Sequence, residues 1–255
     1  MDILQTIILS IIEGITEFLP VSSTGHLILA SKIMGVAQTE FVKSFEIFIQ
    51  LGAILAVAFL YWKEIFLNLK VFKKILIAFL PTAFIGFILY KLFKQYLLGN
   101  EQIVIWSLLI GGIILILFDL RHKEKENSTE DISKISYKNC FLIGLFQSIS
   151  IIPGVSRAGA TIIGGLSLGL KRETIVKFSF LLAIPTMLAA SLYDLYKSSG
   201  AFSFSELDLL IVGFLASFVV ALFSVKFFIG FIRKNTFVSF GVYRILVALL
   251  FLFFI

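Results

Sequence analysis

EGITEFLPVSSTGHLIL, residues 13–29, places two carboxylates, a run of hydroxyls and a histidine inside an otherwise apolar segment. Polar groups are costly in hydrocarbon and are retained where they have a task, so this stretch is the first candidate for an active site. The chain around it has 255 residues, is 59% hydrophobic, carries 29 phenylalanines and has a mean hydropathy of +1.02. Those values exclude an ordinary soluble domain and predict an all-α polytopic membrane protein.

Residues 3–18 and 24–34 read as short helices separated by Pro20 and Gly25. Each is below the roughly 20 residues that span a bilayer, so together they predict a re-entrant hairpin whose irregular tip lines a cavity. Spans are expected at 44–62, 75–93 and 102–120, followed by a polar loop at 121–138 that reads as a solvated linker. The pattern then restarts: apolar residues 139–152, an interruption PGVSRAGAT at 153–161, apolar 162–170, and spans at 177–195, 208–230 and 237–255.

The halves superpose in sequence. PVSSTG (20–25) resembles PGVSRAG (153–159) with one residue inserted, and QLGAILAVAFLY (50–61) matches AIPTMLAASLYD (183–194) in the same register as the prolines. The expected organisation is one integral membrane domain, 1–255, with repeat 1 at 1–120, a cytoplasmic loop at 121–138 and repeat 2 at 139–255. Each repeat would hold one hairpin and three spans. Six transmembrane helices plus two re-entrant hairpins follow, and the odd number of crossings per half inverts the second.

Charge gives the orientation. With 63–74 in the cytoplasm, that side holds Lys63, Lys70, Lys73, Lys74, Arg121, Lys123, Lys125, Lys134, Lys138, Lys171, Arg172, Lys177, Lys226, Arg233 and Lys234. The other side keeps Lys32, Lys43, Lys91, Lys94 and Lys197. This positive-inside bias puts both termini outside, and lets the hairpins enter from opposite faces and meet at mid-membrane. The net charge of +6 therefore reports orientation and contact with anionic lipid heads, not nucleic acid. Asp2 and the acids of the first segment argue against a cleavable signal peptide, and Cys140 reads as a small apolar side chain near a helix start.

Glu13 and Glu17 are spaced i, i+4 on one helix face, where their charges repel and call for a cation beside them. Ser22, Ser23, Thr24 and His26 fall where the second short helix begins, a place suited to holding an anion, although capping would also explain a single hydroxyl. His26 is a candidate acid or base. Arg157 is the only cation in the apolar stretch between Lys138 and Lys171, and its planar fork suits phosphate; an internal salt bridge to Glu13 or Glu17 is the alternative. Ser156 and Thr161 flank it, and Gly154 and Gly159 allow close backbone approach. A divalent cation, Mg²⁺ or Ca²⁺, on Glu13 and Glu17 would reconcile the acids with a phosphate substrate. The set reads as metal-assisted phosphoryl hydrolysis. Glu46 and Gln50 would extend the polar cavity, Arg244 would snorkel or pair with an acid, and Gly165 with Gly169 has helix-packing spacing.

At EGITEFLPVSSTGH and PGVSRAGAT the chain resembles the bacterial undecaprenyl-diphosphatase, or bacitracin-resistance, family, and the segment pattern agrees along nearly its whole length. The resemblance implies a plasma-membrane hydrolase that removes the terminal phosphate of undecaprenyl diphosphate, with its site open to the outer face. It thereby recycles the lipid carrier of peptidoglycan synthesis and confers bacitracin resistance. It carries Glu13 and Glu17 over as the acid pair, Ser22 and Ser23 as the hydroxyls, His26 as the histidine, and Pro153, Gly154, Ser156, Arg157 and Thr161 as the second motif. Ala158 stands where many members have a second serine, which makes that hydroxyl dispensable here. The implied roles are diphosphate binding by Arg157 and the loop amides (with Ser22, Thr24, Gly154, Ser156 and Thr161 in the substrate site), cation binding or orientation by Glu17 and Glu13, and acid–base work by His26. Ser23 is either the nucleophile or the group that positions a water. The implied partners are a polyprenyl diphosphate and membrane lipids. Homodimers occur for the fold, though no residue here argues for one. A flippase or small-anion transporter is the rival, since inverted repeats are also transport architecture.

Overall fold

The structure, a computed structural model, describes residues 1–96, 100–124, 128–197 and 206–254, with the side chains of 90–96, 194–197 and 254 excepted. Of the charges that set the expected orientation, Lys125 and the side chains of Lys91, Lys94 and Lys197 lie outside the described residues. Among the described residues the regular structure is helical, apart from one isolated bridge between Thr129 and Leu170.

Helix α1, Ile3–Thr16, starts at a capping box: Asp2 accepts from the Gln5 amide while the Gln5 side chain accepts from the Asp2 amide. It stops two residues earlier than its apolar pattern suggests, because Pro20 cannot continue a helix. After the turn at 17–22 comes α2, Ser23–Ile33, and then α3, Glu40–Leu60, capped by Thr39. A short α4, Trp62–Phe66, leads into α5, Leu69–Tyr96, and α6, Glu101–Arg121, which Asn100 caps. The second half has α7, Tyr137–Ser148, a 3₁₀ turn at Ile149–Ile151, and α8, Arg157–Ser167. It closes with α9, Arg172–Lys197, α10, Leu207–Ile232, and α11, Val238–Phe254.

Among the described residues five helices are long and apolar enough to cross a membrane: α3, α5 over Leu69–Leu89, α6, α9 over Arg172–Tyr193, and α10. The protein is therefore an α-helical multi-pass membrane protein. Helix α11 has 17 residues and lies at the lower bound for a span. At 14 and 11 residues, α1 and α2 are too short to cross. Side chains such as Phe87, Phe223 and Phe253 are exposed on the outside, as a lipid-facing surface requires.

Glycines set which helices lie close. Gly14 brings α1 onto α10, where an added Cβ would come within 2.8 Å of the Ser217 carbonyl. Gly144 brings α7 onto α5 against the Ala78 carbonyl, and Thr82 Oγ1 donates to the Gly144 carbonyl at 3.0 Å. Gly112 and Gly241 sit against each other's carbonyls, which pairs α6 with α11. Helix α3 packs on both α9 and α10.

Two expectations need correction. Within the expected loop at 121–138, the described stretch 128–136 is tied down and is not a free linker: Thr129 exchanges backbone hydrogen bonds with Gly169 and Lys171, Ile135 is buried, and Lys74 donates to the Ile135 carbonyl. A buried isoleucine and a capping Ser136 within a polar run produce this anchoring. Gly165 and Gly169 do not form one packing stripe either. Gly165 meets Ile175 of α9, and Gly164 meets Phe146, whereas Gly169 has φ +82° and turns the chain at the end of α8.

Candidate active site

Glu17 lies at the mouth of the first loop, just past α1, with both carboxylate oxygens engaged. Oε2 accepts a 2.6 Å hydrogen bond from Ser23 Oγ in the first turn of α2. Oε1 faces Arg157 Nη2 at 3.2 Å. Arg157 opens α8, and it also donates from Nη1 to the Ser179 carbonyl at 2.9 Å and lies over the Phe18 ring. Its Nε–H is buried without a partner, so one guanidinium donor is free for an acceptor that the protein does not supply. The internal salt bridge and the free donor coexist at one residue.

Helix α8 begins at Arg157, inside the motif that the sequence reads as an interruption through Thr161. The cause is Ser156, an N-cap whose Oγ accepts from the Gly159 amide at 3.1 Å. Ser156 Oγ also donates to the Leu19 carbonyl of the first loop at 3.4 Å. Thr161 consequently sits one turn into the helix, fully buried, and its hydroxyl bonds back to the Arg157 carbonyl at 2.8 Å. It steadies the turn that carries Arg157. Gly154 has φ +86°, and a Cβ there would come within 2.7 Å of the Val104 carbonyl oxygen, so this position requires glycine.

In the first loop Ser22 is the one non-glycine described residue with positive φ, at +71°. Such a conformation is costly for a side chain with a Cβ and collects at functional loops. Its carbonyl meets His26 Nδ1 at 2.7 Å, and because a carbonyl only accepts, Nδ1 carries the hydrogen. In the neutral ring, Nε2 is then left as an acceptor for the Tyr243 hydroxyl at 2.8 Å, and the two rings stack at 9°. Thr24 is exposed at the start of α2.

Glu13 lies one turn before Glu17 with its carboxyl turned toward that of Glu17 and in the field of Glu46. It is fully buried, and neither of its oxygens meets a donor. Among the described residues no three His, Cys, Asp or Glu side chains are close enough to hold a metal by themselves. Two facing carboxylates with vacant lone pairs nevertheless suit a hard divalent cation whose remaining ligands are water and substrate oxygens. Glu46 accepts from Ser31 at 3.3 Å and Gln38 at 3.4 Å, so it is tied to the C-terminal end of α2 and the residues that follow it.

The two loops thus converge, bringing Glu17, Ser23, Ser156 and Arg157 together, with His26 on the same α2 face as Ser23 one turn on. Sequence reasoning missed Tyr243 and Ser179, and it misjudged Arg244. This buried arginine neither snorkels nor pairs with an acid among the described residues; it donates to four backbone carbonyls instead.

The chain is similar to known proteins along its full length. It is 51% identical over 251 residues to an undecaprenyl-diphosphatase of Sulfurihydrogenibium sp. (strain YO3AOP1), covering 98% of each chain. It is 52% identical over 247 residues to the undecaprenyl-diphosphatase of Aquifex aeolicus (strain VF5), covering 97% of this chain and 96% of that one. With the undecaprenyl-diphosphatase of Persephonella marina (strain DSM 14350 / EX-H1) it shares 50% identity over 255 residues and all of both chains. The family model described as bacitracin resistance protein BacA matches residues 6–250, an interval that contains both converging loops and all the residues of the site. The chain belongs to the bacitracin resistance protein BacA family.

Proposed function

We propose that this protein is an undecaprenyl-diphosphatase of the bacterial plasma membrane. It hydrolyses undecaprenyl diphosphate to undecaprenyl phosphate and inorganic phosphate, returns the lipid carrier to cell-wall synthesis, and thereby confers bacitracin resistance. The observation that carries the mechanism is the 2.6 Å bond from Ser23 Oγ to Glu17 Oε2 beside the Arg157 guanidinium. A hydroxyl nucleophile, its base and an anion-binding cation then occupy one point.

Arg157, through its free Nε–H, and the amides at the loop tips bind the terminal phosphate. Ser23 Oγ attacks that phosphorus as its proton passes to Glu17, and the bond to the bridging oxygen breaks. Undecaprenyl phosphate leaves with the electron pair. As a phosphate it is a good leaving group and makes little demand on an acid, so His26 serves best in the second step. There it takes a proton from the water that attacks the phosphorus of phospho-Ser23; the P–Oγ bond breaks, Ser23 Oγ recovers the proton held by Glu17, and inorganic phosphate is released. Glu13 and Glu17 would hold Mg²⁺ or Ca²⁺, and when bound the cation supplies neutralising charge for the phosphate oxygens. Ser22, Thr24, Gly154 and Ser156 shape the loop tips around the diphosphate, and Thr161 acts through α8.

The polyprenyl tail lies in an apolar cleft of about 580 Å³ between α6 and the second hairpin. Its walls include Trp106, Ile110, Phe146 and Ile163, and Ser156 and Gly159 connect it to the polar site. The two halves are inverted repeats with two re-entrant hairpins. Support comes from the packing, in which α1 lies on α10 as α7 lies on α5, while α3 meets α9 and α6 meets α11. The site opens to the outer face, a reading that rests on the positive-inside distribution of lysine and arginine.

The test is rapid acid quench of the protein with undecaprenyl diphosphate labelled in the terminal phosphate. Label on Ser23 that disappears as phosphate is released is expected. A folded Ser23→Ala variant that retains most of its turnover would exclude the covalent serine and leave water as the attacking group.

A further inference from the structure

Arg244 stands on α11, nowhere near the two signature loops in sequence, yet its side chain reaches both. Nη1 donates to the Pro20 carbonyl of the first loop at 3.3 Å, and Nη2 to the Gly154 carbonyl of the second at 3.0 Å. Nη2 also bonds the Ser107 carbonyl at 2.8 Å, and Nε the Leu108 carbonyl at 3.3 Å, both on α6. The guanidinium is buried, and no carboxylate pairs with it among the described residues. Glycine makes its place: a Cβ at Gly111 would fall on the guanidinium itself, and one at Gly159 would lie 3.6 Å from Nη1.

We propose that Arg244 is the positioning residue of the phosphatase site, holding the two loop tips in register through their main-chain carbonyls. Its charge, which no acid among the described residues neutralises, draws the diphosphate in. The inference rests on the hydrolase function given above. Arg157 cannot fill this place, because Glu17 already offsets its charge. Lysine cannot either. Four carbonyls from three segments need a planar fork with separated donors, whereas an ammonium directs its three hydrogens from one atom. The clasp explains why loops 133 residues apart keep Ser23 and Arg157 on a shared Glu17, and displacement of catalytic groups by about 1 Å costs on the order of 100-fold in rate.

The experiment is steady-state phosphate release from undecaprenyl diphosphate by wild type, Arg244→Lys and Arg244→Gln, each taken as the monodisperse folded fraction. Arg244→Lys keeps the charge and loses the clasp, so kcat is expected to fall at least tenfold while KM changes less than threefold. Arg244→Gln loses both, so KM is expected to rise more than threefold as well. Exchange of the loop amides at 19–23 and 154–157 should quicken in both variants, with helix protection kept. If Arg244→Lys does not fold, Gly111→Ala presses on the same guanidinium with Arg244 intact, and the same split is expected. Wild-type kcat and KM in the folded variants, with unchanged loop exchange, would overturn the proposal while leaving the enzyme assignment standing. A folded wild type that releases no phosphate would overturn both.

Discussion

Glu17→Gln isolates the junction on which the chemistry depends. Glu17 accepts from Ser23 on one oxygen and from Arg157 on the other, and its side chain is only 6% exposed. Glutamine has the same shape, but it is neutral and accepts at one oxygen only, so it cannot serve both partners. General-base assistance contributes about 10²–10⁴ in rate. At 1.36 kcal/mol per decade, its loss raises the barrier by about 3–5 kcal/mol. Binding should move differently. With the divalent cation held at saturation, loss of the Glu17 charge leaves the Arg157 guanidinium free for phosphate, so KM is expected to stay level or fall as kcat collapses. Removing one member of a buried ion pair costs about 3–5 kcal/mol of stability at full burial. Here the lower end applies, because Arg157 keeps the Ser179 carbonyl and a substrate anion restores its neutrality. The assay is phosphate release from undecaprenyl diphosphate by the folded, monodisperse fraction, with kcat and KM fitted separately. A kcat within tenfold of wild type, or a loss confined to KM, would refute the role of Glu17 as base.

Tyr243→Phe removes the hydroxyl that meets His26 Nε2 and keeps the stacked ring; at about 1 kcal/mol for one hydrogen bond, kcat should fall about fivefold with KM unchanged, and unaltered kinetics would remove Tyr243 from the site. Gly154→Ala forces a side chain onto φ +86° and against the Val104 carbonyl, so a loss of about 1–3 kcal/mol in thermal stability is expected together with reduced turnover. On the polar loop before α7, the Glu130 carboxyl is held below the usual carboxylate range by Lys171, and Asp131 by the Ser133 hydroxyl and amide. Their anchoring is therefore complete above about pH 4 and lost as pH falls through the lower folded-state values. Amide exchange at 128–136 should rise in that acid window, and exchange that is flat with pH would contradict it.

The membrane character and five of the six expected spans were legible in the long apolar runs, and the convergence of two motif loops in the rarity of charge within apolar sequence. Glu13, Glu17, His26 and Arg157 stand out on that ground alone. Other features depend on contacts that no local pattern encodes. Tyr243 reaches His26 across 217 residues, and a tyrosine in an apolar helix carries no mark of that partner. Arg244 was visible as a buried cation, but the expected partner for such a cation is an acid, and backbone carbonyls leave no trace in sequence. Thr161 looked like a loop residue because PGVSRAGAT reads as a single interruption, whereas the Ser156 cap starts the helix at Arg157. The anchoring of the polar loop was hidden for the converse reason: one buried Ile135 among charges carries little weight in composition.

The most direct test of the whole account is inorganic phosphate released from undecaprenyl diphosphate by the purified chain in detergent, with Mg²⁺, with Ca²⁺ and after chelation, for wild type and Arg157→Ala. The account predicts release by wild type that depends on a divalent cation and is lost in the folded variant. Undiminished release by Arg157→Ala, or none from a folded wild type that still binds the lipid, would contradict it, and the latter result would favour a transporter.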